Sequence, residues 1–230
     1  MSQLKQIRTF LKRKLKPVDW LNLRSLQPVS RKFGFDRGMP VDRFYIETFL
    51  NENNCYIKGN LLEIADDFYS KKFGTEVEAF NILHFDSNSK KATIIGDLAS
   101  PENLPSNFTD CFICTQTLNF IYDIKTAVYG IKQLLKEGGT ALITLAGLSQ
   151  ISRYDMDRWG DYWRFTSLSA EKLFSEVFGK ENISIKTYGN VLSSIALLEG
   201  LSVDELTKDE LEFVDPDYQM IIAVVAQKKL

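Results

Sequence analysis

The sequence predicts an α/β fold, in which a mostly parallel β-sheet is covered by helices on both faces. The first observation is a series of short apolar runs between residues 60 and 226, each long enough for one strand. The second is the helical spacing of apolar residues between several of those runs, which is typical of βα units. The third is the composition: of 230 residues, 44% are hydrophobic and 25% charged, which is ordinary for one soluble globular domain.

Each predicted element rests on a local pattern. The expected strands are residues 60–65 (NLLEIA), 78–84 (EAFNILH), 92–96 (ATIIG), 111–115 (CFICT), 140–145 (TALITL), 183–188 (ISIKTY) and 220–226 (MIIAVVA). Helices are expected over residues 42–51, 121–135 and 169–178. Gly138 and Gly139 predict the stop of the second helix, and Ser169 is the expected N-cap of the third. No run of about 18 apolar residues occurs, so no transmembrane helix is expected.

The N-terminal segment predicts an amphipathic helix over Leu4–Lys16. Its apolar stripe consists of four residues at helical spacing: Leu4, Ile7, Leu11 and Leu15. Pro17 ends the pattern. We therefore divide the chain into a basic helical extension, residues 1–55, and an α/β domain, residues 56–230.

Charge is distributed unevenly along the chain. Residues 1–43 contain eleven Lys or Arg and three Asp, a net charge of +8, whereas the whole chain carries −2, which leaves −10 for residues 44–230. Such asymmetry is typical of a basic segment that binds an anionic partner. The partner can be nucleic acid, lipid headgroups or the protein's own acidic body. Docking on the body is the preferred interpretation, because the apolar stripe is short. Peripheral membrane contact through residues 1–16 is the alternative.

The cysteine and histidine content argues against several classes of site. Three cysteines make no disulfide framework. Cys111 and Cys114 are three positions apart on one predicted strand, so their side chains point to opposite faces. We expect both to be small buried residues of a protein that works in the reducing cytoplasm. A single histidine, His84, excludes a zinc site built from several histidines. No G-x-S-x-G elbow accompanies it, which argues against a serine hydrolase. We interpret His84 as an ordinary strand-end residue, and no spacing in the sequence demands a metal.

Ligands of such sheets bind at the carboxyl ends of the strands, near the switch in strand order. Glu63 lies in the first run, and Asn81 and Asp86 come about 20 residues later, where dinucleotide-type sites place a ribose-binding group. Asp97 closes the third run. Carboxylate and amide oxygens accept hydrogen bonds from ribose hydroxyls and from the amine of adenine. Each acid taken alone has a simpler interpretation as a solvated residue or a helix cap. Their joint placement favours a nucleoside-type ligand.

Four segments resemble the class I S-adenosylmethionine-dependent methyltransferases: 61–65 (LLEIA), 96–98 (GDL), 109–118 (TDCFICTQTL) and 134–144 (LLKEGGTALIT). Further segments are similar to the methyltransferase type 11-like proteins of bacterial glycan and glycosyltransferase gene clusters: 35–38 (FDRG), 42–46 (DRFYI), 121–123 (IYD), 149–155 (SQISRYD), 159–166 (WGDYWRFT) and 188–190 (YGN). The resemblance covers residues 33–228, and residues 149–166 are its most specific part. The family implies a Rossmann-like seven-stranded sheet in which residues 220–226 form the one antiparallel strand.

The resemblance also implies an S-adenosylmethionine site. Glu63 anchors the first loop, Asn81 or Asp86 binds the ribose, and Asp97 contacts adenine. The expected cofactor-binding residues are Glu63, Ala65, Asp66, Tyr69, Asn81, Asp86, Asp97, Leu98, Thr115 and Gln116. The first loop, residues 65–69 (ADDFY), departs from the family's glycine-rich motif. Ala65 stands where the first glycine is expected, and the carboxylates of Asp66 and Asp67 would repel the carboxylate of the cofactor.

The segment 153–164 (RYDMDRWGDYWR) combines aromatic rings, carboxylates and arginines, which suits a glycosyl or other polyol acceptor. The candidate general bases are Asp155, Asp157 and Asp161, and the expected acceptor-binding residues are Arg153, Tyr154, Trp159, Tyr162, Trp163 and Arg164. Candidate aromatic faces for the sulfonium are Phe68, Tyr69, Phe120 and Tyr122. Core packing and surface ion pairs are the alternative interpretation of each of these side chains.

The leading interpretation is a cytoplasmic S-adenosylmethionine-dependent O-methyltransferase that acts on a glycan, a glycolipid precursor or a related small molecule. The alternative is a non-catalytic methyltransferase-like module that partners glycosyltransferases. A nucleic-acid methyltransferase is a third interpretation. It is disfavoured because the chain has no Asn-Pro-Pro-Tyr motif and because residues 44–230 are acidic.

Overall fold

The computed structural model describes residues 7–8, 11, 13–15 and 21–229, without the side chains of residues 21 and 22. The described residues of the N-terminal segment are helical. Leu4, Lys16 and Pro17, which belong to the predicted helix and its end, lie outside the described residues. Ile7, Leu11 and Leu15 are 54%, 51% and 80% exposed, so these three side chains do not dock on the protein body.

Seven strands form one sheet. They are β1 (Gly59–Ile64), β2 (Val77–His84), β3 (Ile94–Ile95), β4 (Thr109–Thr115), β5 (Leu135–Ala146), β6 (Ile183–Tyr188) and β7 (Ile221–Gln227). Their order is β3-β2-β1-β4-β5-β7-β6. Strands β1 to β5 pair in parallel, whereas β7 runs antiparallel to both β5 and β6. The predicted fold class and the single antiparallel strand near the C-terminus are confirmed.

Helices cover both faces of the sheet. They are α1 (Val41–Glu52), α2 (Phe68–Phe73), α3 (Ile124–Leu134), α4 (Arg153–Met156), α5 (Ser167–Phe178), α6 (Val191–Glu199) and α7 (Lys208–Glu212). Helices α3 and α5 share one buried cluster with Cys114, and α1 and α6 share the other with Cys111. The two cysteines of β4 therefore face opposite sides of the sheet, as predicted, and burial raises the pKa of the Cys114 thiol to about 12.

Helix α1 belongs to the core, although our division of the sequence places it in the N-terminal extension. Its apolar side chains pack against the sheet, and all of them are at most 1% exposed: Val41, Tyr45, Ile46, Phe49 and Leu50. The Tyr45 hydroxyl also donates a hydrogen bond of 2.9 Å to the Leu211 carbonyl oxygen. Burying such side chains stabilises a fold by about 1.5–3 kcal/mol each, so this helix contributes to the stability of the α/β unit.

The predicted glycine stop of α3 is wrong. The helix ends at Leu134, and β5 begins at the next residue, so Gly138 and Gly139 lie inside the strand. Thr109 pairs with Leu135 but Cys111 pairs with Thr140, so residues 136–139 bulge out of the ladder. The Gly138 φ angle of +82° permits this bulge, whose tip donates a hydrogen bond to the Lys228 carbonyl oxygen at 2.7 Å.

The start of α5 also differs from the expectation. Thr166, not Ser169, is the N-cap, and its hydroxyl accepts a hydrogen bond from the Ser169 backbone N–H at 3.2 Å. The Ser169 hydroxyl lies within 3.0 Å of the Thr166 backbone N–H and accepts from it, which completes a capping box. The helix therefore begins two residues earlier than the sequence predicts. In the described part of the chain, no helix is long and apolar enough to span a bilayer.

Candidate functional site

A cavity of about 540 Å³ opens at the carboxyl ends of β1 to β4. It lies at the switch in strand order between β1 and β4, where ligands of open α/β sheets bind. One part of the wall comes from residues at or just after strand ends: Ile64, Ala65, Leu83, His84, Phe85, Gly96, Asp97, Leu98, Ala99 and Thr117. The other part consists of Phe120, Ile121, Tyr122, Asp123, Asp155, Trp159 and Tyr162.

The loop after β1 turns sharply without a glycine. Ala65 has a φ angle of +69°, in the left-handed region that glycine favours. Its backbone N–H donates to the Leu83 carbonyl oxygen at 3.0 Å, and the next N–H, of Asp66, donates to the Ile64 carbonyl oxygen at 2.9 Å. The chain therefore makes a glycine-type turn with alanine, and the small methyl group of Ala65 lies in the cavity wall.

Asp66 and Asp67 do not line the cavity. Asp66 Oδ1 accepts from the Phe68 backbone N–H at 3.1 Å, and Asp67 forms an ion pair of 2.7 Å with Lys71. Both carboxylates border a separate open depression with three lysines. The sequence predicts that Asp66 and Asp67 repel the carboxylate of the cofactor. Their position outside the cavity and the neighbouring lysines reduce this repulsion.

Glu63 anchors the first loop from inside the protein. Its carboxylate is 3% exposed and accepts hydrogen bonds from the backbone N–H groups of Tyr69 at 3.1 Å and Ser70 at 2.7 Å. These donors belong to the first turn of α2, which otherwise has no side-chain cap. Burial raises the pKa of Glu63 to about 7, against the two backbone hydrogen bonds, which lower it. Glu63 therefore fixes the loop but does not reach the cavity wall.

We expect the stability of the protein to fall as the pH rises from about 4.5 to about 7, because the buried Glu63 must lose its proton over this range. The folded state binds this proton more tightly than the unfolded state, so acid favours folding here. The contribution is on the order of 2–3 kcal/mol. Urea unfolding of the protein and of Glu63→Gln across this pH range measures it. An equal pH dependence in both proteins would contradict the assignment.

Tyr69 also lies behind the loop. It is 3% exposed, and its hydroxyl accepts a hydrogen bond of 2.6 Å from Arg43 Nη1. Burial raises the pKa of Tyr69, although the neighbouring Arg43 lowers it. Tyr69 is thus held among core residues. Phe68, the other aromatic residue of this loop, is 55% exposed and borders the open depression instead of the cavity.

The residue at the end of β2 that lines the cavity is His84, which sequence analysis did not select. Asn81 lies within the strand, and its amide donates to Asn60 Oδ1 at 2.6 Å. The Asp86 carboxylate accepts from the backbone N–H of Asn88 at 2.9 Å, and it is not in the wall. His84 Nδ1 accepts from the Asp86 backbone N–H at 3.0 Å, so a neutral ring carries its proton on Nε2. The feature of the sequence that could have identified His84 as a cavity residue is its position at the end of a predicted strand.

Asp97 and Leu98 form the cavity wall after β3. Leu98 is 3% exposed and presents an apolar surface, while Asp97 Oδ1 accepts from the Ala99 backbone N–H at 2.9 Å. Asp97 Oδ2 has no hydrogen-bond partner within residues 21–229. A fixed carboxylate with one unused oxygen beside an apolar wall suits a flat ring that carries an amine.

After β4, the structure places Thr117 in the wall and turns Gln116 away. Gln116 has a φ angle of +48°, and its amide nitrogen lies 3.3 Å from Thr144 Oγ1 on β5. The Thr115 carbonyl oxygen accepts from the Thr117 hydroxyl at 3.0 Å. Thr115 and Gln116 therefore shape the turn that presents Thr117 to the cavity.

Residues 149–164 form a lid segment whose shape depends on Asp161. The Asp161 side chain is 1% exposed and forms a two-bond pair with Arg164, at 2.6 and 2.9 Å, and accepts from the Ser152 backbone N–H at 3.1 Å. Burial raises the pKa of Asp161, but these hydrogen bonds outweigh it and hold the pKa below its usual value. Arg164 also donates to the carbonyl oxygens of Ser149 and Gln150. Both ends of the lid segment are thereby tied together.

The three candidate bases have different surroundings. Asp155 lies in the cavity wall, where its carboxylate accepts a short hydrogen bond from the Ser152 hydroxyl. Asp157 is exposed and pairs with Arg153 at 3.0 Å, away from the cavity. Asp161 is enclosed by the donors that shape the lid segment. Of the three, Asp155 alone is positioned to meet a ligand in the cavity.

Aromatic contacts hold the lid segment over the cavity. The ring centroid of Trp159 lies 5.4 Å from that of Phe85, and the ring of Tyr162 lies 5.4 Å from that of Tyr122. Trp163 stacks on Tyr122 at 5.9 Å, outside the wall, and its Nε1–H donates to the Ile121 carbonyl oxygen at 3.1 Å. Of the expected acceptor-binding residues, the structure brings Trp159 and Tyr162 to the cavity.

The remaining predicted acceptor residues lie outside the cavity wall. Tyr154 packs against Trp159 with their centroids 6.0 Å apart, and it carries the Arg158 guanidinium 3.4 Å above its ring. Arg153 is exposed in its pair with Asp157, and Arg164 is occupied by the lid segment. In the described ranges, no cluster of three or more His, Cys, Asp or Glu side chains is arranged to hold a metal ion.

We expect Asp161→Asn to destabilise the protein by about 2–4 kcal/mol, because it leaves the Arg164 guanidinium without its buried partner. Thermal unfolding measures the loss, and tryptophan fluorescence reports the loosening of Trp159 and Trp163. Asp157→Asn is the matched control, since its exposed pair contributes about 0–1 kcal/mol. Equal stability of the two variants would contradict the structural role of Asp161.

No family model matches the chain, and no curated protein is similar to it in sequence. Solved structures with the same fold do exist. A SAM-dependent methyltransferase from Archaeoglobus fulgidus is 11% identical, with a TM-score of 0.51 over 81% of this chain and 94% of that chain. An S-adenosylmethionine-dependent methyltransferase from Mesorhizobium loti is 12% identical, with a TM-score of 0.50 over 84% of this chain and 99% of that chain.

A third structure, the CurJ carbon methyltransferase, is 15% identical, with a TM-score of 0.47 over 74% of this chain. The matched region spans about half of that longer chain, 48%. At these identities the likeness concerns the fold. The likeness to the Archaeoglobus fulgidus structure, together with the strand order, identifies a Rossmann-like sheet of the class I methyltransferase type.

Proposed function

We propose that this chain binds S-adenosylmethionine and transfers its methyl group to a hydroxyl group of a glycan, a glycolipid precursor or a related small molecule. One observation carries the proposal: a single cavity joins a nucleoside-type wall, which includes Asp97 and Leu98, to a wall with Asp155 and the aromatic rings of the lid segment. The cavity volume of about 540 Å³ is in the range of cofactor sites.

The residues of the nucleoside-type wall fit the adenosine part of the cofactor. Leu98 offers an apolar surface to a base, and Asp97 Oδ2 accepts a hydrogen bond from an exocyclic amine. His84, whose Nδ1 is already bonded, has its Nε2–H to donate to a ribose oxygen. The sharp turn at Ala65 places a small side chain in the cavity wall, next to the position expected for the ligand.

The lid side of the cavity fits an acceptor alcohol. Trp159 and Tyr162 offer ring faces for stacking of a sugar, and Asp155 accepts the proton of the attacking hydroxyl. The bound cofactor supplies an electrophilic methyl group on a sulfonium. Asp155 would take the hydroxyl proton as the acceptor oxygen gains the methyl group, and the cofactor would leave as the neutral thioether. Phe120 and Tyr122 also line the cavity, and their aromatic faces would stabilise the cationic sulfur of the cofactor.

A second candidate function is a non-catalytic module that partners glycosyltransferases. It is favoured by the first loop, in which Ala65 holds a left-handed conformation without glycine and α2 has only six residues. The backbone N–H groups of Ala65, Asp66, Phe68, Tyr69 and Ser70 already donate to groups of the protein, so they are not available to the amino-acid end of the cofactor. The two functions differ in whether the isolated chain binds S-adenosylmethionine.

Calorimetric titration with S-adenosylmethionine and S-adenosylhomocysteine tests the proposal. We expect a dissociation constant in the micromolar range, about −8 kcal/mol. Binding justifies a screen of glycan and glycolipid acceptors, in which S-adenosylhomocysteine release is the readout. No binding up to about millimolar concentration would overturn the proposal and favour the non-catalytic module, for which capture of glycosyltransferases is the next experiment.

A further inference from the structure

The described helical residues of the N-terminal segment present an apolar stripe to solvent. Ile7, Leu11 and Leu15 are each helical and are spaced by four residues, which is the spacing of one helix face. They are 54%, 51% and 80% exposed, respectively. A row of three exposed aliphatic side chains on one face is unfavourable in water, and it indicates a surface that is covered by a partner.

The charges of the same segment identify the chemistry of that partner. Residues 1–16 contain six Lys or Arg and no Asp or Glu. Arg8 and Arg13 are exposed, and Arg13 lies on the side of the helix opposite Leu11. Residues 44–230 carry −10 and therefore repel an anionic surface. Within the chain, positive charge is therefore most concentrated in the N-terminal segment.

We propose that residues 4–16 are a peripheral membrane anchor that binds the surface of an anionic lipid bilayer. A lipid surface satisfies both features at once, since the acyl boundary covers the aliphatic stripe and the headgroups attract the basic side chains. A nucleic acid uses the charge but leaves Ile7, Leu11 and Leu15 exposed. The inference rests on the N-terminal segment alone and is independent of the proposed enzymatic function.

Co-sedimentation of the full chain with lipid vesicles tests this anchor. We expect strong binding to vesicles of phosphatidylcholine and phosphatidylglycerol, weak binding to pure phosphatidylcholine, and release as salt is added. The combined variant Ile7→Ser, Leu11→Ser and Leu15→Ser should reduce binding at least about tenfold. Arg8→Gln with Arg13→Gln should reduce both the binding and its salt dependence.

A matched control replaces three leucines that are exposed elsewhere on the protein. Leu26→Ser, Leu168→Ser and Leu198→Ser remove the same kind of side chain at positions 95%, 72% and 46% exposed, and vesicle binding should not change. An equal loss of vesicle binding in both triple variants would overturn the proposal. Equal binding to vesicles with and without phosphatidylglycerol would also overturn it. Retention of single-stranded RNA by the full chain without vesicle binding would also overturn it and favour a nucleic-acid partner. Self-association that is lost only in the Ile7, Leu11 and Leu15 variant, without vesicle binding, would assign the stripe to a second copy.

Discussion

Asp155→Asn should lower the rate of methyl transfer about a hundredfold or more, because no other carboxylate of the lid segment lies in the cavity wall to take the acceptor's proton. The amide keeps the size of the side chain and still accepts from the Ser152 hydroxyl. Binding of S-adenosylmethionine should therefore stay within about threefold. Rates of S-adenosylhomocysteine release with an acceptor found by screening, together with calorimetry, measure the two effects separately.

Asp157→Asn is the matched control for this prediction. Its carboxylate lies two residues further along the same segment but is exposed and paired with Arg153. We expect its rate to stay close to that of the unchanged protein. A similar loss of rate in both variants would show that charge on the lid segment, not a base at Asp155, controls the reaction. An unchanged rate in Asp155→Asn would show that Asp155 is not the general base of the reaction.

Asp97→Ala should weaken binding of S-adenosylmethionine about tenfold to a hundredfold, because the cavity loses the carboxylate that we propose as the acceptor for the adenine amine. The substitution also removes the hydrogen bond that Asp97 Oδ1 accepts from the Ala99 backbone N–H. Asp97→Asn separates these two roles. Its amide oxygen can still accept from the Ala99 backbone N–H, but its amide nitrogen is a donor and cannot accept a hydrogen bond from the adenine amine. Calorimetric titration of each variant measures the change.

The control for Asp97 is again Asp157, which lies outside the cavity wall. Asp157→Ala should bind the cofactor as the unchanged protein does. Equal dissociation constants for Asp97→Ala and Asp157→Ala would contradict the adenosine site proposed here. If the unchanged protein also fails to bind, the proposed function itself is wrong, and the placement of Asp97 is then no longer the question.

The sheet was largely predictable from the sequence, because the strands β4, β5 and β7 are mostly buried and their apolar runs are continuous. All seven predicted strands exist, and the patterns of β1, β4 and β7 place their boundaries within two residues. The sequence patterns do not predict helices α2, α4, α6 and α7. The six residues of α2 are too few for a helical period, and the start of α6 depends on a capping box between Asn190 and Ser193 that stands between two apolar stretches.

The site was predictable only at strand ends. Ala65, Asp97 and Leu98 lie where strand-end reasoning places them, because the carboxyl ends of parallel strands converge in any such sheet. Asn81 was selected by its distance along the chain, but it lies within β2 and bonds to Asn60 across the sheet. The sequence pattern identifies His84 only as a strand-end residue, whereas in the structure this end of β2 borders the cavity.

By itself, the sequence determined the layered α/β fold, the opposite faces of Cys111 and Cys114, and the edge of the sheet at which the cavity opens. These follow from the period of the apolar residues, which is a local property of the chain. Tertiary structure alone separated Asp155, Asp157 and Asp161, which share one segment and one residue type. Their roles depend on partners such as Arg164 and on which side of the segment meets the cavity. The spacing of these residues along the chain predicts neither their partners nor which of them meets the cavity. Both depend on groups that come together only in the folded protein.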